Sequence, residues 1–120
     1  MTYCVSDIHG EAARFTELLD KINFSDSDTL YVLGDVIDRG AHGVEILRRI
    51  KDTPNMQMLM GNHERMCLDT LGVHSVYGAR ELWKQNGGNR TYRDLVYRCT
   101  PVERAGLLRF IDHLPTFLEI

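Results

Sequence analysis

The chain has 120 residues, of which 43% are hydrophobic and 26% charged, a composition expected of one globular domain and of neither a disordered segment nor a membrane protein. Its formal net charge is −3, and no block of lysine or arginine exists to neutralise a run of phosphates, so a nucleic-acid partner is not expected. Arg90, Arg93 and Arg98 are interleaved with Tyr92, Asp94 and Tyr97 and read as a solvated helix face.

In chain order, "TYCVS" reads as a strand and "EAARFTELLDKINF" as a helix, with Ala12, Phe15, Leu18, Leu19 and Ile22 at helical spacing. "TLYVL" is a second strand, "GVEILRRIK" a second helix with Val44, Ile46, Leu47 and Ile50 as its apolar face, and "MQMLM" a third strand. This β-α-β-α-β order predicts an α/β fold of parallel strands joined by crossover helices. The second half reads as a helical segment: "HERMCLDTL", "ARELWKQ", "TYRDLVYR" and "PVERAGLLRFIDHL", the last opening on a first-turn proline, with "NGGN" as a loop. These helices carry no comparable density of chemistry. "TFLEI" reads as the beginning of one more strand, whose unpaired edge predicts self-association of the chain. Cys4, Cys67 and Cys99 show no CxxC spacing and read as reduced thiols, with Cys4 in the core. With no signal peptide before "TYCVSDIHG" and no apolar run of membrane-spanning length, the expected location is the cytoplasm, with no membrane partner.

Three motifs each follow one predicted strand: "DIHG", "GDVIDRG" and "GNHE". In an open parallel sheet the carboxyl ends of the strands lie side by side, so three separated stretches converge on one patch. Taken alone, each has an ordinary explanation. "GDVIDRG" could be a salt-bridged turn, and "GNHE" could be Asn62 capping a helix with Glu64 against its dipole. Taken together they suit a divalent metal of the manganese, iron or zinc type, since oxygen and imidazole donors occur without thiolate. Asp7 and His9, two apart along an extended segment, project to one side. Asp35 is placed to bridge two ions roughly 3.5–4 Å apart, and Asn62 to offer a carbonyl oxygen to the second. Arg39 has a fork matched to phosphate, His63 is placed to protonate a departing oxygen, and Asp38 to orient His63.

With these motifs the sequence resembles the calcineurin-like metallophosphoesterases, and within them the bacterial and bacteriophage-type serine/threonine phosphoprotein phosphatases, whose pattern reads DxHG, GDxVDRG and GNHE. The resemblance implies metal-dependent hydrolysis of phosphomonoesters by metal-bound hydroxide, with phosphoproteins or phosphopeptides as substrates. It implies two divalent ions, manganese or else iron or zinc, held by Asp7, His9, Asp35 and Asn62. It also implies His63 as acid oriented by Asp38, and Arg39, with Asn62, on the phosphate. The symmetrical diadenosine tetraphosphate hydrolases share DxHG and GD; Asp38 and Glu64 tilt the reading toward protein phosphatase. The family's two further metal-ligating histidines and second phosphate-binding arginine have no counterpart here, and His42, His74 and His113 match neither motif. Residues 1–120 are therefore expected to form a single metallophosphoesterase domain incomplete at its C-terminus, part of an αββα sandwich, with a weak second metal site. That shortfall keeps a catalytically silent metal-binding module as a further alternative. His113 reads as a helix C-terminal residue favoured by the dipole.

Overall fold

The computed structural model describes residues 1–119. Three strands, β1 (Thr2–Val5), β2 (Thr29–Val32) and β3 (Met56–Met58), form a parallel sheet in the order β1-β2-β3. Helices α1 (Ala12–Lys21) and α2 (Gly43–Lys51) make the crossovers. Register pairs Val5 with Val32 and Val32 with Met58, so all three strands end at one edge. The α/β reading of the first sixty residues is the fold observed.

Side chains alternate across the sheet. Leu30, Val32, Met56 and Met58 are buried beneath the helices, with Phe15 and Leu19 of α1 and Val44, Ile46, Leu47 and Ile50 of α2 in the same apolar cluster. Burying each such side chain contributes about 1.5–3 kcal/mol, which fixes the register of the strands and hence the position of their ends. Cys4 was expected in this core and is exposed instead. Tyr3 and Val5 take the inward positions of β1, so the period of two turns Cys4 to the opposite face.

The second half is helical: α3 (Asn62–Leu71), α4 (Ala79–Gln85), α5 (Asn89–Arg93) continuing into a π-helical turn (Asp94–Arg98), and α6 (Pro101–Asp112). Helix α3 packs on α4, and α6 packs on both α2 and α3. Thr100 caps α6, accepting from the backbone N–H of Glu103, with Pro101 in the first turn. His113 ends that helix and donates from Nδ1 to the carbonyl of Arg109 at 2.8 Å. Arg90, Arg93 and Arg98 are exposed, as a solvated face requires. None of these helices is long and apolar enough to cross a membrane.

"TFLEI" does not continue the sheet over Thr116–Glu119, and Ile120 lies outside the described residues. The backbone just beyond β3 does reach this region, Met60 N–H donating to the Pro115 carbonyl at 2.8 Å. One bond is not a ladder, and Phe117 remains 72% exposed, so β propensity alone does not make a strand here.

Candidate metal and phosphate site

The loops after the three strands are stitched together by backbone hydrogen bonds. His9 N–H donates to the Asp35 carbonyl at 3.1 Å, Gly10 N–H to Val36 at 2.7 Å and Gly40 N–H to His9 at 3.0 Å. Gly10 and Gly40 meet so closely that a Cβ on either would overlap the other's backbone, which is why the "DIHG" and "DRG" turns both end in glycine.

This stitching holds an unusual backbone. Asp7, His9, Asp35, Asp38 and Arg39 all have positive φ, between 43° and 76°. For side chains with a Cβ this left-handed region costs about 1 kcal/mol or more per residue, and it persists where surrounding bonds over-determine it. The extended geometry expected for Asp7 and His9 is thus not what aligns them, because β1 ends at Val5 and both residues lie in a left-handed turn. The turn nonetheless brings ligand atoms of Asp7, His9 and Asp35 within 4.8 Å of one another. Asp7 Oδ1 lies 3.6 Å from His9 Nε2. His9 Nδ1 donates to the Ile37 carbonyl at 2.9 Å, leaving Nε2 for a cation, the arrangement in which metal-binding histidines are usually fixed. Two carboxylates and an imidazole, partly open to water, suit a divalent ion.

Asn62 opens α3 beside this cluster and is exposed; the cap of that helix is Gly61. The backbone N–H of His63 donates to Asp35 Oδ1 at 3.1 Å, so the third motif touches the second. His63 is 6% exposed and its ring meets that of His9 edge-on at 4.7 Å. Its Nδ1 lies 2.6 Å from Oδ2 of Asp38, a carboxylate with no exposure. Arg39, exposed at the rim, has its backbone N–H on the Gly87 carbonyl at 3.0 Å.

Two contributions were not foreseen. Glu64, read as a helix-dipole residue, is fully buried, and its carboxylate accepts four backbone N–H groups. These belong to Asp35 (2.7 Å), Gly61 (3.0 Å), Val36 (3.0 Å) and Ile37 (3.4 Å), so one side chain moulds the second loop onto the third. Burial raises its pKa, the backbone donors work against that rise, and the Asp35 charge adds to it. The second correction concerns the helical half, which does serve the site. Trp83 Nε1–H donates to Asp38 Oδ2 at 2.7 Å, and Asp38 N–H donates to Thr91 Oγ1 at 3.1 Å. The chain's single tryptophan beside a Gly-Gly pair was the available signal, since a buried indole N–H needs an acceptor.

Residues 2–116 match the calcineurin-like phosphoesterase family. The chain belongs to it. Among curated relatives, the chain is 37% identical over 115 residues to a symmetrical bis(5'-nucleosyl)-tetraphosphatase of Acidovorax ebreus, covering 94% of the chain and 37% of that protein. It is 34% identical over 119 residues to serine/threonine-protein phosphatase 2 of Salmonella typhimurium, covering 98% of the chain and 51% of that protein. A solved protein serine/threonine phosphatase of Saccharomyces cerevisiae superposes with a TM-score of 0.61 over 93% of the chain and 32% of the other, at 19% identity, a likeness of fold. The chain thus spans between about a quarter and a half of the length of the curated relatives it matches.

Proposed function

We propose that the chain carries the metal-binding and general-acid half of a protein serine/threonine phosphatase acting on phosphomonoesters. The observation that supports this most is the buried Asp38–His63 pair set against the Asp7–His9–Asp35 cluster, a proton donor beside a cation site.

Asp7, His9 and Asp35 would hold one divalent ion, and Asp35 and Asn62 a second. Bound there, such ions supply Lewis acidity and water acidic enough to attack near neutral pH. The chain's own residues do the rest. Arg39, exposed at the rim, orients phosphate through its planar fork. His63, with Nδ1 on Asp38, keeps Nε2 for the oxygen of the departing alcohol, whose alkoxide is a poor leaving group.

A second reading has support of its own. The symmetrical tetraphosphatases make up most of the curated relatives, among them a Haemophilus ducreyi protein 42% identical over 78 residues. The matches to the Salmonella phosphatase and to the Acidovorax tetraphosphatase both run through the helical half; Asp38, buried and paired with His63, and Glu64 are what lead us to place protein phosphatase first. Manganese is the metal proposed and the cytoplasm the location. The test is hydrolysis, with added manganese, of a phosphoserine peptide against diadenosine tetraphosphate. Faster turnover of the peptide supports the first reading, faster turnover of the dinucleotide the second, and no turnover of either defeats both.

A further inference from the structure

The α4–α5 segment contributes no proposed metal ligand, yet it is bonded to Asp38 and Arg39 of "GDVIDRG". Asp38 and Arg39 are consecutive left-handed residues, at φ 76° and 67°. Both of their backbone N–H groups are taken up by the α4–α5 segment, Asp38 by Thr91 Oγ1 and Arg39 by the Gly87 carbonyl. The Asp38 side chain is held there too, by Trp83.

The carboxylate of Asp38 is used asymmetrically. Two nitrogen atoms converge on Oδ2, Trp83 Nε1 at 2.7 Å and His63 Nδ1 at 2.6 Å. Oδ1 is buried without a hydrogen-bond partner among the described residues. Leaving a carboxylate oxygen so is unfavourable, and distributing the two donors over both oxygens would avoid it. Their convergence has a chemical consequence. An indole N–H can only donate, so it makes Oδ2 an acceptor and occupies one of its in-plane lone pairs. A carboxylate oxygen can only accept, so its 2.6 Å contact with His63 makes Nδ1 the protonated nitrogen and leaves Nε2 free.

We propose that Trp83 is a positioning residue for the proposed hydrolysis, acting through Asp38 to fix the tautomer and orientation of His63. The inference rests on the phosphoesterase reading given above. Trp83 itself is built in firmly: it is 1% exposed, meets Tyr92 edge-on with centroids 6.2 Å apart, and lies against Gly88, where a Cβ would overlap indole Cδ1 and Nε1. Its indole thus reaches the second loop from a helix that holds none of the metal ligands.

Because Trp83 is the only tryptophan, growth of a tryptophan auxotroph on benzothienylalanine replaces its N–H by sulfur and leaves every other residue unchanged. Trp83→Phe is the genetic counterpart, and 5-fluorotryptophan, which keeps the N–H, is the conservative rescue. One readout is the nitrogen and Nδ1–H resonances of His63 in the metal-free protein. The N–H-deficient forms are expected to lose the strongly downfield Nδ1–H signal and to show mixed tautomers, and the fluoro form to retain it. The other readout is kinetic, with manganese present. A proton donor matters more for phenyl phosphate than for p-nitrophenyl phosphate, so kcat is expected to fall about 10-fold or more on the first and less on the second, with KM nearly unchanged. Unaltered His63 resonances in folded benzothienylalanine protein, or an equal loss on both substrates, would overturn the proposal. Absence of hydrolysis by the unmodified protein would instead defeat the phosphoesterase activity, and the resonances would still decide whether Trp83 governs His63.

Discussion

Asp35 and Asp38 stand three residues apart in one loop, share a left-handed backbone, and have opposite surroundings. Asp35 is half-buried beside the exposed Asp7, and its side-chain Oδ1 takes one backbone donor from His63. Asp38 is fully buried, with both Trp83 and His63 on a single oxygen. A carboxylate meant for a cation must keep oxygen lone pairs free and remain reachable, whereas one meant to orient an imidazole gains from a dry, donor-filled setting where its hydrogen bonds are stronger. The candidate site therefore divides into an open cluster suited to a cation and a closed cluster suited to holding a proton, touching where the rings of His9 and His63 meet.

The largest effects should test that division. His63→Ala is expected to lower kcat on a phosphomonoester by about 10²–10⁴-fold while leaving manganese affinity, read by calorimetry, nearly unchanged. Asp35→Asn should do the reverse in binding, abolishing measurable manganese uptake. Equal loss of metal affinity in both variants would merge the two clusters into one.

Next in size comes the tie beneath both. Glu64→Gln replaces one acceptor oxygen by an NH2 group facing backbone N–H donors, and should lower unfolding stability in urea by about 3 kcal/mol. Stability equal to the parent would mean that the four donors have other acceptors. Gly40→Ala acts at the seam between the first two loops, where its Cβ would overlap the His9 carbonyl. A loss of about 1–3 kcal/mol is expected, as for other overpacked sites, together with weaker manganese binding because His9 is displaced. Destabilisation with unchanged manganese affinity would show that the cation cluster does not depend on this seam.

Much of this was legible before any coordinates. Strand-helix alternation placed three loops at one sheet edge, and the residue types there pointed to a cation, a phosphate and a proton donor, the roles proposed above. What escaped has a common physical cause. Glu64, Trp83 and Thr91 act through hydrogen bonds to groups 25 or more residues away, and periodicity reports which face of a helix is buried without saying which acceptor a buried donor meets. The burial of Glu64 is especially hidden, since a glutamate in a first helical turn is well explained by the dipole alone. Cys4 and "TFLEI" failed for a related reason: apolar composition records neither which face of a strand is covered nor whether a partner is there to pair with.

The smallest prediction concerns α6, which packs on α2 and α3 and supplies no residue to either cluster. Thr100→Ala removes its cap and should cost about 1 kcal/mol of stability, with manganese affinity and kcat unchanged, which separates loss of fold from loss of site. The same cap gives a pH dependence of definite sign. Glu103 accepts the backbone N–H of Thr100 at 3.1 Å and receives Arg48 at 3.0 Å, and the Thr100 bonds, foremost the backbone one, hold its pKa below the ordinary 4.5. Between the lowered folded value and 4.5 the unfolded chain binds more protons, so stability rises with pH across that window. The contribution is complete above about pH 4.5 and disappears as the pH falls through the folded value. Glu103→Gln should accordingly narrow its gap to the parent protein in thermal melts as the pH is lowered from 6 toward 3, and a gap that widened on acidification would show that Glu103 does not hold the end of this helix through its charge.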